Sequence, residues 1–150
     1  MFRNLYLTAI LISVAFIGSG QDTQTLEQLI ESTYRVDILW NVHITDSWSS
    51  VSYSNPDSEN LTAYLKLLQK EMKKYPKTYF NTIKLKKIVL GNDMAFSGQA
   101  RAAIPDPYKG YLYYSVNGAY GDASVTYLTH CFHHELHHYT EYSIWKSMYF

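Results

Sequence analysis

Between His130 and Tyr142 the chain reads HCFHHELHHYTEY, which gathers five of its six histidines into one short stretch. The apolar residues around them fix what this segment can be. Val125, Leu128, Phe132, Leu136 and Tyr139 recur at spacings of three and four, the signature of one buried stripe on an α-helix running from about Ala123 to Ser143. With Phe132 set at zero and about 100° per residue, His134 falls near 200° and His138 near 240°. His130, His137 and Glu141 fall near 160°, 140° and 180° on the same wheel. The sequence therefore calls for a helix anchored by one face and displaying imidazoles on the other. Asp122 or Ser124 is placed to cap its start.

The rest of the chain must supply a surface for that stripe. Its 150 residues suffice for one domain and one core. The formal net charge is zero, so no nucleic-acid partner is expected. Cys131 is the single cysteine, which excludes an intramolecular disulfide and leaves stability to the core or to a metal. Cys131 itself reads as a small buried hydrophobe.

The first twenty residues differ in character. Arg3 precedes an apolar run, Leu5 to Ile17, followed by Gly18, Ser19 and Gly20. This is the pattern of a signal peptide over 1–20, cleaved near Gly20–Gln21, with a mature domain over 21–150. The run is shorter than the roughly 20 residues that span a bilayer. A secreted or periplasmic protein with no stable membrane anchor after cleavage is expected. Asn60-Leu61-Thr62 fits a glycosylation sequon.

Along the mature chain, TLEQLIESTYR reads as a short helix and RVDILWNVHIT as a strand. DSWSSVSYSNPDSEN reads as a polar loop. Leu61, Tyr64, Leu65, Leu68, Met72 and Tyr75 make one apolar helical face over 58–75, closed by Pro76, with the lysines at 66, 70, 73 and 74 solvated. A strand is expected over 83–90, ended by Gly91-Asn92. AIPDPYKG is read as a turn segment, and GYLYYSV, Gly110 to Val116, as a further strand.

Within the histidine helix, His134-Glu135-Leu136-His137-His138 spells HExxH. Histidines at i and i+4 share a helix face about 5–6 Å apart and can grip one ion. In this motif the two histidines, His134 and His138, bind Zn²⁺ and the glutamate, Glu135, is the general base toward water. His130/His134 and His133/His137 also have metal spacing, but only His134 is followed directly by a glutamate. His133 and His137 are read as neighbours that orient or shield the site, and His130 as a partner lying behind the ligands.

These residues resemble the zincin metallopeptidases, and HHELHH after RAAIPDP…GYLYYS is similar to zinc-binding metallopeptidases among secreted bacterial proteins. The resemblance covers roughly Tyr75 to Tyr142 and is specific only at HExxH. It implies a zincin-like α+β fold, a small mixed β-sheet packed on a helix and on the HExxH active-site helix. It also implies an edge strand, Gly110 to Val116, that pairs with substrate backbone. The sequence departs from the family at the third ligand. Position 141 is Glu and position 144 is Ile, so HExxHxxGxxH fails. Glu141 is the sole acidic residue after His138. It is either the third ligand, a carboxylate holding a histidine N–H, or a solvated side chain. The domain is expected to be truncated after this helix, with the missing ligand beyond Phe150 or on a partner chain. Two functions follow as expectations. One is a secreted zinc endopeptidase acting on a peptide or protein substrate. The other is a non-catalytic secreted metal-binding or pseudo-protease module.

Overall fold

The computed structural model describes residues 19–41 and 50–149. The signal segment expected over 1–20 lies outside them except for Ser19 and Gly20, and the second half of the strand read over 35–45 lies outside them as well. The described residues form an α+β fold in which a mixed six-stranded sheet carries four helices. The helices are α1 (Ser19–Tyr34), α2 (Ser58–Met72), α3 (Tyr79–Thr82) and α4 (Val125–Tyr149). The strands are β1 (Asp37–Leu39), β2 (Val51–Ser54), β3 (Lys87–Phe96), β4 (Gln99–Ala100), β5 (Ala103–Asp106) and β6 (Tyr111–Ser115). Among the described residues no helix is long and apolar enough to cross a membrane.

The ladder runs β1-β3-β6-β5. β1 and β6 flank β3 in parallel, whereas β5 adds antiparallel to β6. β3 serves two sets of partners in succession. Lys87 to Gly91 pair with β6, and beyond them the strand pairs with β2 and β4. Strand alternation then sorts the side chains. Ile88, Leu90, Leu112 and Tyr114 face the helices and join the main core, whereas Val89, Met94, Ile104 and Tyr113 form a second cluster on the opposite face.

The helices follow their apolar stripes. In α2 the buried positions include Leu61, Tyr64, Leu65, Leu68 and Met72. Asp57 caps its start by accepting from the Asn60 amide at 2.9 Å. In α4, Leu128, Phe132, Leu136 and Tyr139 are buried as the periodicity requires. Val125 is not, being 67% exposed, because residues 121–126 all stand clear of the sheet. The Ser124 hydroxyl caps the helix from the Tyr127 amide at 3.2 Å, and Asp122 in turn accepts from the Ser124 amide. Cys131 is buried, as expected, beside Ala102 and Ala119.

Five sequence expectations need correction. The segment read as a loop contains β2, whose Tyr53 ring lies against β3. That contact also explains why Gly91 does not end β3. A Cβ at Gly91 would come within 2.7 Å of the Tyr53 ring, so glycine here admits a neighbour rather than a turn. The strand expected from 83 starts only at Lys87, since Ile83 closes α3 and the Leu85 amide donates back to the Phe80 carbonyl at 2.9 Å. AIPDPYKG is not all turn, because its first four residues are β5. Consequently Gly110 to Val116 is not an edge. β6 is paired on both sides, and β5 is the outer strand among the described residues.

Pro105 can stand in β5 because of which groups face outward. The Ser115 amide donates to the Ala102 carbonyl at 2.8 Å. Antiparallel pairs alternate, so Ile104 and Asp106 bond to β6, while Ala103 and Pro105 turn their backbone to the open side. The N–H that proline lacks belongs to that open side.

Phe132 is fully buried, with ring contacts to Tyr75 at 6.4 Å and Tyr114 at 5.8 Å. Phe132→Ala is expected to cost about 3–5 kcal/mol of folding stability. Urea denaturation measures this, and a loss below about 1 kcal/mol would show that α4 is not seated as described.

Candidate metal and proton-transfer site

Four side-chain contacts set α4 on the fold. The Tyr114 hydroxyl donates to the Phe132 carbonyl at 3.2 Å, and burial pushes its pKa well up, keeping it a donor. The Tyr139 hydroxyl donates to the Lys84 carbonyl at 3.0 Å. Tyr79 and Thr140 share a hydroxyl bond of 2.8 Å. The fourth contact is His133, which faces α2 rather than the histidine cluster. Its Nε2 is 2.8 Å from Glu71 Oε2 and its Nδ1 is 2.7 Å from the Tyr75 hydroxyl. A carboxylate can only accept, so Nε2–H donates to Glu71, and in the neutral ring Nδ1 accepts from Tyr75. Both nitrogens are thereby used on the core side.

With the helix so placed, His134 and His138 bring their Nε2 atoms to 3.1 Å from each other, with ring planes 89° apart. Two imidazole lone pairs at that separation need a shared proton or a shared cation. Nitrogen ligands at 2.0–2.1 Å from a tetrahedral zinc lie about 3.3 Å apart, so a small ring rotation would suit the pair to the ion. Glu141 stands on the far side of His138. Its Oε2 is 3.4 Å from His138 Nδ1 and its Oε1 is 3.4 Å from His137 Nε2. A carboxylate there favours the tautomer that leaves the His138 Nε2 lone pair available. The His130 ring stacks on His134, centroids 5.5 Å apart.

Glu135 lies between the helix and β5. Its side chain is 21% exposed and its Oε1 is 3.9 Å from His134 Nε2. Burial raises its pKa above the ordinary carboxylate value, against the opposing pull of His134, His138 and Arg101. Glu135 forms part of a cleft of about 450 Å³ whose other side is β5 and its flanks, including Arg101, Ala103, Pro105 and Tyr108. A second hollow of about 370 Å³ is lined by His138, Glu141, Tyr142 and Trp145, and Tyr142 lines both. A larger hollow of about 530 Å³ beside α1 holds Glu27 and Glu31. Its carboxylates are already bonded to the Trp40 indole and the Ile38 amide, and it gathers no catalytic set.

The donor chemistry of His134 and His138 fits zinc for two positions. Among the described residues, no group of three or more His, Cys, Asp or Glu side chains is placed to hold a metal ion. Sequence reading missed Glu71, Arg101 and Tyr142. Glu71 carried a signal, since a charge at Leu68+3 and Tyr75−4 interrupts an apolar stripe. Arg101 carried none. No family model matches the chain, and neither a curated protein nor a solved structure matches it.

Glu71 is 2% exposed. Burial raises its pKa, but hydrogen bonds from Lys74 and His133 outweigh this and hold it below the ordinary value. A folded-state pKa below the unfolded value of about 4.3 stabilises the fold above that pH and is lost as pH falls through the folded value. Thermal melts should therefore show stability dropping below about pH 4.3, with Glu71→Gln flattening that drop. Identical pH profiles for the two proteins would contradict the assignment.

Proposed function

We propose that the protein is a zinc-dependent endopeptidase of zincin-like architecture, exported to the periplasm or the medium. The observation that carries this reading is the approach of His134 Nε2 and His138 Nε2 to 3.1 Å, next to a half-sheltered Glu135 in a cleft whose opposite wall is a strand edge. His134 and His138 hold the metal, and Glu141 fixes the tautomer of His138. Bound zinc supplies Lewis acidity beside the scissile carbonyl.

The chain's own residues do the rest. Ala103 N–H, Ala103 C=O and Pro105 C=O face the cleft side of β5 and pair with an extended peptide backbone. The peptide then runs past Glu135. Glu135 takes a proton from the attacking water and delivers it to the departing amine. The raised pKa of Glu135 suits both halves of that transfer, because a stronger base takes the proton more readily and still returns it to an amine.

A second reading has an observation of its own. The described residues offer two donors where catalytic zinc sites ordinarily use three. A metal-binding module without turnover would need no more than the histidine pair.

Substitution separates the two. His134→Ala should abolish stoichiometric zinc. Glu135→Gln should retain zinc and lower peptide hydrolysis by about 10²–10⁴-fold. Glu141→Ala should weaken zinc by about 10–100-fold. Zinc content by atomic absorption and turnover of a peptide library measure these. Full hydrolysis by Glu135→Gln would reject the peptidase mechanism, and zinc retained by His134→Ala would reject both readings.

A further inference from the structure

We infer that Arg101 is the specificity residue of the cleft and that it selects a ligand carboxylate, either an Asp or Glu side chain or a free C-terminus. Cleavage of such a ligand rests on the peptidase reading above, whereas its binding does not.

Arg101 sits in the short link between β4 and β5. Its amide donates to the Met94 carbonyl at 2.8 Å, which ties the link to β3. Its guanidinium is held at two points, with Nη1 donating to the Ala100 carbonyl at 3.1 Å and Nη2 donating to Gln99 Oε1 at 2.7 Å. Both acceptors are neutral, and a guanidinium has five N–H donors. The group is thus oriented by neutral acceptors, with no carboxylate bonded to it among the described residues.

Its surroundings make that charge matter. Among the described residues that line the cleft, Arg101 is the one cation and Glu135 the one anion. The remainder include Phe96, Ile104, Pro107 and Tyr142. Arg101 acts on Glu135 through space, but among the described residues the two form no ion pair, and Glu135 Oε1 stands 3.9 Å from His134 Nε2. An oriented planar fork beside apolar walls matches the two oxygens of a carboxylate.

Position sets the register. Arg101 lies two residues before Ala103, the first residue of β5 to turn its backbone outward. Two residues of extended chain span about 6–7 Å. A peptide paired along β5 therefore brings one carboxylate to Arg101 about two residues from the backbone held at Ala103.

The test uses the full chain bearing Glu135→Gln, with zinc supplied, so that binding is read without turnover. The probes are N-acetylated alanine-based hexapeptides. One set is amidated and carries Glu, its isostere Gln or Lys at each position in turn, and another carries Gln with either a free or an amidated C-terminus. Calorimetry should give about tenfold or greater tighter binding for a carboxylate at one register. Arg101→Gln should erase that preference, and Arg101→Glu should transfer it to Lys at the same register, an exchange that a merely structural arginine would not produce. The set that carries the preference identifies the source, side chain or terminus. Affinities equal within about twofold across all sets, or a preference surviving Arg101→Gln, would overturn the inference. Equal affinities together with hydrolysis by the Glu135-containing protein would overturn it alone and leave the peptidase reading standing. Discrimination without hydrolysis would do the reverse.

Discussion

The rotational setting of α4 is the constraint on which the site depends. A helix turned by one residue moves every side chain through about 100°, which would carry His134 and His138 off their common face of the molecule. Two kinds of contact oppose this. Phe132, Leu136 and Tyr139 fill the sheet-side core, and large-to-small changes at such positions leave cavities that the fold cannot close. On the α2 flank, the Glu71–His133–Tyr75 bonds fix the angle with directional chemistry. Apolar packing decides which face is buried, and the buried carboxylate decides how that face is turned.

This arrangement divides the histidines by task. His133 and His134 are neighbours in sequence but lie on opposite sides of the division. One is spent on a carboxylate inside the fold, while the other meets His138 at the surface. Glu71 is set against a ring nitrogen of His133 and Glu141 against one each of His137 and His138, but Glu71 is buried and Glu141 is 59% exposed. The first contact stabilises the fold, and the second, in the proposed site, favours the tautomer that leaves the His138 Nε2 lone pair free. The open edge of β5 completes the cleft, and Pro105 keeps that edge from offering a full ladder to another strand.

The two core helices α2 and α4 were legible in the sequence because their periodicity is strong, whereas the single turn of α3 was not. Leu61 to Met72 and Leu128 to Tyr139 each hold a 3.6-residue stripe that only a helix satisfies. The strands were legible only where the sheet is simple. β6 was read correctly as a strand, since Tyr111 to Ser115 is aromatic and β-prone, but its interior place depends on a partner that looks like a turn. β5 was hidden by two prolines, whose cost vanishes at an edge. The length of β3 was hidden by Gly91, whose missing side chain accommodates Tyr53. HExxH marked the histidine pair from sequence alone. Arg101 could not be found that way, because its meaning comes from facing Glu135 across a cleft between elements far apart in the chain.

The central claim is that His134 and His138 together hold one metal ion. X-ray absorption at the zinc edge, on protein loaded with one equivalent of zinc, reads the ligand atoms directly. Two imidazole nitrogens at about 2.0–2.1 Å are expected, with the imidazole outer-shell pattern lost in the His134→Ala, His138→Ala double variant. A sulfur shell near 2.3 Å, or a purely oxygen shell without imidazole scattering, would contradict it.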